Sequence, residues 1–208
     1  MEPKVSALLL AAGSSKRIGQ PKQLLPLNGK PLIAHGLETL LSSGVHEVVV
    51  VLGPQAWEIA RIVGETAERA APGSKVGTVV NDAPGSDMAA SVRKGLTALR
   101  RDVSGVLVFP ADHPLVTAGT VRRLIDVHRM VPADIVVPVR QGRRGHPALF
   151  PADCLRRELT EGRTLRDLAR AAGEAVTLVE VDDEGVVLDV DTMEDYRRIV
   201  DIARRGPR

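Results

Sequence analysis

The chain has 208 residues, 44% of them hydrophobic and 26% charged, which is the profile of a soluble globular protein with enough apolar material for one substantial core. Its formal net charge is only +2, so bulk attraction to nucleic acid or to a membrane is not indicated, and any positive field must be local. Aromatic residues make up 2%, which leaves almost no stacking platform for single-stranded nucleic acid.

No apolar run approaches the roughly 18 residues that span a bilayer, and the first residues lack the pattern of a secretory signal. The single cysteine, Cys154, has no internal disulfide partner, which fits a reducing compartment. The expected location is the cytoplasm. In chain order, VSALLLAA from Val5 reads as a buried strand, PLIAHGLETLLSSG as a helix, EVVVVLG as a second buried strand and QAWEIARIVGETAERA as a second helix. The alternation continues with VGTVVN, MAASVRKGLTALR, GVLVFPAD and TVRRLIDVHRM. Near-continuous apolar strands joined by helical crossovers predict an α/β, Rossmann-like, doubly wound and mostly parallel sheet. After Met130 the rhythm changes. ADIVVPVR and HPALF flank the turn-forming QGRRG, which reads as a hairpin or two neighbouring strands, and two helical stretches then precede VTLVEV and VVLDVD. Thr192 with Asp195 has the spacing of a capping box, so a last helix is expected from Thr192. No repeat or low-complexity tract interrupts the chain, and one domain over residues 1–208 is expected.

In open α/β sheets the ligand crevice lies beyond the carboxyl ends of the strands. That rule selects the loop after Leu10, the pair Asn81 and Asp82, Asp112 after VLVFPA, and Asp191 after VVLDV. The first loop fits neither the Walker A spacing nor the G-x-G-x-x-G dinucleotide pattern. It still joins a strand to Gly13, Ser14, Ser15, Arg17, Gly19 and Lys22. Glycine admits close approach of an anion, loop N–H groups form a nest, and the cations neutralise phosphate oxygens. By chemistry alone, phosphate binding and a solvated turn are equally good readings. Asn81 and Ser91 carry an amide and a hydroxyl suited to reading a base or ribose, or else serve a turn and a helix surface. Trp57 is expected to cover a helix face and Cys154 to pack.

The segment LAAGSSKRIGQPKQLLPLNGKPLI resembles the signature loop of the MobA-like nucleotidyltransferases, in the branch typified by molybdenum cofactor cytidylyltransferase. Leu10, Ala11, Ala12, Gly13, Arg17, Gly19, Pro21 and Lys22 match the pattern, with Ile18 where Met is usual. The likeness continues through NDAPGSDMAASVRKGL, PADHPLV, RRGHPALF and LDVDTMEDY. It implies transfer of a nucleoside monophosphate from an NTP to a phosphorylated acceptor, with an NTP-binding part at 1–115 and an acceptor-binding part at 116–208. Under it, Leu10, Ala11, Ala12, Gly13 and Ser14 hold the nucleotide, together with Asn81 and Ser91. Arg17 clamps the outer phosphates, and Lys22 faces the α-phosphorus as the first choice for catalysis. Asp112 and Asp191 are the implied Mg²⁺ ligands, although strand alternation would set Asp189 on the same face as Asp191. Arg143, Arg144 and His146 are implied to face the acceptor.

Ala-Ala-Gly, rather than the Ala-Gly-Gly of guanylyl-transferring relatives, favours CTP over GTP. Molybdopterin is the implied acceptor, with a molybdoenzyme or chaperone as a further partner. A sugar phosphate, methylerythritol phosphate or phospholactate acceptor, a non-catalytic cofactor carrier and an oxidoreductase on the same scaffold are the rivals. Two positions depart from the pattern: His113 stands where an apolar or amide residue is usual, and Asp87 precedes Met88 where glycine is usual.

Overall fold

The computed structural model describes residues 3–13, 15, 17–54, 56–83 and 87–205. Strand β1 (Val5–Ala11) leads through a 3-10 turn (Lys22–Leu24) into the small ribbon β2 (Pro26–Leu27) and β3 (Lys30–Pro31). There follow α1 (Leu32–Leu41), β4 (Val48–Leu52), α2 (Trp57–Ala70), β5 (Val76–Val80), α3 (Met88–Ala98), β6 (Gly105–Pro110) and α4 (Ala118–Met130). The second part holds β7 (Ile135–Arg140), β8 (Arg143–Arg144), β9 (Ala148–Pro151), α5 (Ala152–Glu158), α6 (Leu165–Ala172), β10 (Val176–Glu180), a 3-10 turn (Glu184–Val187) and α7 (Met193–Arg205).

The main sheet runs β10-β7-β9-β6-β1-β4-β5, with β8 paired to β7. Strands β5, β4, β1 and β6 are mutually parallel, and β10 is parallel to β7. Only β9 runs against its neighbours β6 and β7 along this path. The predicted mostly parallel α/β sheet is therefore what forms. ADIVVPVR and HPALF become the neighbouring antiparallel strands β7 and β9, with Val136 opposite Leu149, and the expected turn QGRRG itself carries the short β8, with Val139 opposite Arg144.

Side-chain alternation divides the core into two layers, as a sheet covered on both faces requires. Ala7, Leu9, Val48, Val50, Leu107 and Phe109 pack on one face against Ile33, Leu37, Ile59, Val63 and Leu124 from α1, α2 and α4. Leu8, Val49, Val106 and Val108 point the other way, toward Ala89 and Val92 of α3, Leu155 of α5 and Leu168 of α6. A third, smaller cluster of Leu25, Leu27, Leu32, Val190 and Ile199 ties α7 to the β2–β3 ribbon. The expected cap of that helix forms: Thr192 Oγ1 accepts from the Asp195 N–H, and the Asp195 carboxylate accepts from the Thr192 N–H.

Two expectations are corrected. Trp57 is 74% exposed at the start of α2 and covers no helix face, because the apolar stripe of that helix is carried by Ile59 and Val63 instead. VVLDVD does not form a strand: Val186 and Val187 end a 3-10 turn, and residues 188–192 are irregular. Among the described residues no helix is long and apolar enough to cross a membrane.

A buried carboxylate ties the start of α4 to the segment after β10. Asp183 Oδ2 accepts from the Thr117 N–H at 2.9 Å, the Thr117 hydroxyl at 2.9 Å and the Thr120 hydroxyl at 2.6 Å, while Oδ1 accepts from the Gly185 N–H at 3.0 Å. It thus fixes the start of α4 to the last 3-10 turn. Asp183→Ala leaves these buried donors unpaired and is expected to cost about 2–3 kcal/mol, read as a lower urea midpoint at unchanged slope.

His128 is fully buried behind Gly105, with Ser104 Oγ beside its Nε2 at 3.4 Å. Burial pushes its pKa below the ordinary imidazole value, and the hydrogen bond at Ser104 offsets this only in part. As pH falls below about 6.5 the unfolded chain binds the proton first, so stability present above that pH is lost on acidification. Urea midpoints measured from about pH 8 to pH 5 should fall for the native chain and fall less for His128→Leu.

Candidate active site at the carboxyl ends of the parallel strands

The turn after β1 is built from the chain's own polar groups. Gln23, 3% exposed, donates through Nε2 to the carbonyls of Ala11 at 2.8 Å and Gly13 at 3.2 Å. The Lys22 N–H donates to Ser15 Oγ at 2.9 Å, so backbone and side chain together return the loop toward the strand that it left. The sequence reading missed Gln23; its position directly after Pro21-Lys22 was the only signal. Ser14 and Lys16 lie outside the described residues.

This return brings the Lys22 ammonium into the crevice. Its Nζ donates to Asp112 Oδ2 at 2.6 Å, to the Val190 carbonyl at 2.9 Å and to Asp191 Oδ1 at 3.2 Å. Asp112 is placed there by β6, and the irregular segment before α7 places Asp191. The two segments are joined where the Val190 N–H donates to the Asp112 carbonyl at 3.0 Å. Arg17, largely exposed, reaches the other oxygen of Asp191 at 3.1 Å. Asp189 is exposed and takes no part in this cluster. With no strand there, alternation does not set it beside Asp191.

Burial by itself would lower the Lys22 pKa, but the charge and hydrogen bonds of Asp112, and then of Asp191, outweigh it and the pKa is raised. Lys22 is therefore a fixed ammonium at neutral pH, suited to holding anionic oxygen and unsuited to acting as a base. Asp112 Oδ1, by contrast, is buried without a hydrogen-bond partner among the described residues.

A cavity of about 170 Å³ opens beside this cluster, lined by Leu10, Ala12, Gly13, Lys22, Gln23, Asp87, Met88, Ser91, Pro110, Ala111 and Asp112. Behind the lining residue Ser91 stands Asn81, which donates to Ser91 Oγ at 3.0 Å and accepts from the Ala83 N–H at 3.3 Å. Both residues are buried, so Ser91 is not on a helix surface. Asp87, one of the two departures from the sequence pattern, caps α3 through a 2.8 Å bond from the Ala90 N–H. A larger cavity of about 370 Å³ lies between α1, α2 and the β2–β3 ribbon. Each cation on its rim is already paired, Lys30 and Arg69 with Glu38 and Arg61 with Glu65, and chemistry rather than volume favours the smaller one.

The acceptor-facing candidates are divided. Arg143 and Arg144 stand exposed on β8, and among the described residues no hydrogen bond or ion pair joins them to the lysine cluster. His146 does approach it: its ring meets that of His113 edge-on, with centroids 5.1 Å apart, and His113 follows Asp112. Burial, and then the neighbouring His113, push the His146 pKa down to about 4, so it is a neutral imidazole at neutral pH. Backbone contact holds this corner. A Cβ on Gly145 would lie 2.4 Å from the Val186 carbonyl oxygen, and one on Gly185 would lie 2.4 Å from the Leu115 carbonyl carbon, so only glycine permits either approach.

Among the described residues no group of three His, Cys, Asp or Glu side chains converges to hold a metal. The pair Asp112 and Asp191 still suits a hard divalent ion, which takes one or two carboxylates and completes its shell with water and phosphate oxygens.

A family model described as "MobA-like NTP transferase domain" matches residues 7–179. Nicotine blue oxidoreductase of Paenarthrobacter nicotinovorans is 33% identical over 95% of this chain and 97% of its own length. The 2-C-methyl-D-erythritol 4-phosphate cytidylyltransferase of Frankia casuarinae is 31% identical over 84% of this chain, which spans 59% of that relative. Among solved structures, Rv0371c from Mycobacterium tuberculosis superposes with a TM-score of 0.77 at 29% identity, covering 97% of this chain and 100% of that one. The same protein has also been solved in complex with manganese, with a TM-score of 0.72 at 27% identity over 97% of this chain and 100% of that one.

Proposed function

From the premise that the chain belongs to the MobA-like NTP transferase family and is a nucleotidyltransferase, we propose that it transfers CMP from CTP to the phosphate of molybdopterin with release of pyrophosphate. The observation that carries this reading is the convergence of Lys22, Asp112, Asp191 and Arg17 beside the cavity under the Gly13 turn. An oxygen of the acceptor phosphate attacks the α-phosphorus, a new P–O–P linkage forms, and the bond to the β-phosphate breaks to release pyrophosphate. The attacking monoester is already largely ionised, because its second pKa is about 6, so no general base is required. What the protein must supply is alignment of two polyanions and compensation of charge that moves onto the leaving group.

In this reading Lys22 bears on the α-phosphate and Arg17, exposed at the mouth, takes the outer phosphates. Leu10, Ala11, Ala12, Gly13 and Ser14 hold the nucleotide, with Asn81 and Ser91 at the base or ribose. Asp112 and Asp191 hold Mg²⁺, whose chemistry is to neutralise phosphate oxygens during transfer; the manganese complex of the Mycobacterium tuberculosis relative supports a divalent ion. His146, in the segment between β8 and β9, faces the acceptor, with Arg143 and Arg144 of β8 at the exposed rim. The preference for CTP over GTP rests on Ala12, whose methyl group lines the cavity where a glycine would leave room for a purine. The domain division at 115 and a cytoplasmic location belong to the same proposal, as does hand-over of the product to a molybdoenzyme or its chaperone.

The name of the Paenarthrobacter nicotinovorans relative favours a second reading, reduction of a small aromatic substrate. Hydride transfer has no evident use for an ammonium clamped between two carboxylates, and the dinucleotide fingerprint is missing. Pyrophosphate release, measured over a panel of NTPs with molybdopterin, sugar phosphate, methylerythritol phosphate and phospholactate as acceptors, separates these readings. The expected result is turnover with CTP and molybdopterin, lowered at least about 100-fold in Lys22→Ala and Asp112→Ala. Turnover with GTP alone overturns the base assignment; NADPH oxidation without pyrophosphate release overturns the reaction.

In the nucleotide-free protein, Lys22 and Arg17 occupy the carboxylates proposed for the metal. Metal and triphosphate should therefore bind cooperatively, each releasing groups that the other needs. Lys22→Met is expected to bind Mg²⁺ alone about tenfold more tightly than the native chain, and CTP more weakly. Isothermal titration reads both.

A further inference from the structure

The side chains that line the cavity under the Gly13 turn are short of donors. Lys22 has three N–H groups, and all three are taken by Asp112, the Val190 carbonyl and Asp191. Gln23, 3% exposed, gives its amide N–H groups to the carbonyls of Ala11 and Gly13, and among the described residues nothing donates to its buried Oε1. Asp87, exposed at the cavity, uses Oδ1 to cap α3 through the Ala90 N–H at 2.8 Å. Among the described residues no hydrogen bond or ion pair takes up its Oδ2, and a carboxylate has no proton of its own to offer.

Ser91 complements it. The Ala83 N–H donates to Asn81 Oδ1, which fixes the orientation of that amide, so Nδ2 is the group 3.0 Å from Ser91 Oγ. Ser91 Oγ accepts there and keeps its own proton for the cavity that it lines. The first turn of α3 therefore brings an acceptor, Asp87, and a donor, Ser91, to one cavity. Between them Met88 is 42% exposed, and Leu10, Ala12, Pro110 and Ala111 supply further apolar lining, which suits the faces of a planar ring. Phosphate belongs elsewhere in the cavity, toward Lys22, because the Asp87 carboxylate offsets the positive end of α3 that would otherwise attract an anion.

We infer that Asp87 reads the exocyclic amino group of the bound base, with Ser91 donating to a ring acceptor beside it, and that this carboxylate selects CTP over UTP. The inference rests on reading the chain as a CTP-dependent transferase. It adds a discrimination that Ala12, which bears on purine against pyrimidine, does not supply. Cytosine carries an amino donor where uracil carries a carbonyl oxygen. A serine hydroxyl can turn to suit either base, but a carboxylate cannot. UTP would bring its carbonyl oxygen against Asp87, so the wrong base is repelled as well as left unpaired. Asp87, a departure from the sequence pattern, thereby gains a use that glycine at the same position could not serve.

The full-length chain with Mg²⁺ is titrated calorimetrically with non-hydrolysable analogues of CTP, UTP, 2′-deoxy-CTP and GTP. The native chain is expected to bind the CTP analogue about 10–100-fold more tightly than the UTP analogue. Asp87→Asn keeps the cap, since asparagine also accepts from the helix N–H groups, but offers the base an amide N–H. In this variant CTP binding weakens about tenfold, UTP binding strengthens, and the preference vanishes or inverts. A residue that only supported the fold would lower both affinities together, so an unchanged CTP-to-UTP ratio in Asp87→Asn overturns the inference. Equal binding of both analogues by the native chain overturns it as well. Loss of discrimination against 2′-deoxy-CTP with the CTP-to-UTP ratio intact also overturns it, and assigns the carboxylate to the ribose. CTP-selective binding that ignores Asp87→Asn sinks the role of Asp87 alone, whereas a native chain that prefers the GTP analogue, or binds none of the four, sinks the underlying reading and the inference with it.

Discussion

The Lys22 ammonium is held by Asp112, Asp191 and the Val190 carbonyl, and the rest of the site is arranged around that arrangement. A charge withdrawn from water this far is poorly repaid by one partner, since desolvation consumes most of the Coulombic gain. Two carboxylates and a carbonyl repay it, with Arg17 compensating the second carboxylate. The cluster is thus tolerable for the fold without being a major source of its stability. Under the proposed function its value is that charges for phosphate and metal are gathered at one place before either arrives, so that little reorganisation is left for the transfer itself.

Holding that arrangement requires three remote segments to meet. The turn after β1 is closed by Gln23 and Ser15, β6 ends at the same level because it is paired in register with β1, and the approach to α7 is tied to Asp112 through the Val190 N–H. Asp183 then fixes the start of α4 to the last 3-10 turn, and Gly145 and Gly185 let three backbones touch beside the two histidines. This side of the crevice is consequently a corner formed by close backbone contact. Only its exposed rim, Arg143 and Arg144, stands away from it.

Much of this was legible before any coordinates. The alternation in VSALLLA, VVVVL and VLVF placed odd and even residues on opposite faces, and both core layers follow it, because a buried strand has no other way to hide its side chains. The cap at Thr192 and Asp195 was equally legible, since its partners are three residues apart and its geometry is local. Trp57 was not. Its helix carries the apolar stripe elsewhere, and a lone exposed aromatic has no sequence mark. The segment from Val186 to Asp191 reads as an apolar run, yet Val186 is buried through a 3-10 turn. Choosing Asp191 over Asp189 depended on that turn. Asp183, with four hydrogen bonds from three other residues, carries no local mark in VDDEG that sets it apart from the neighbouring acids.

The sequence by itself determined the α/β alternation, the strand ends at which a ligand crevice must open and the loop from Gly13 to Lys22, because these depend on periodicity and on residue spacing within a short span. Only the tertiary structure decided which charges meet. It set Lys22 between Asp112 and Asp191, and separated His146 from Arg143 and Arg144. Those outcomes depend on distances of a few ångströms between segments far apart in the chain. Register and backbone packing set such distances, and no local pattern of residues encodes them.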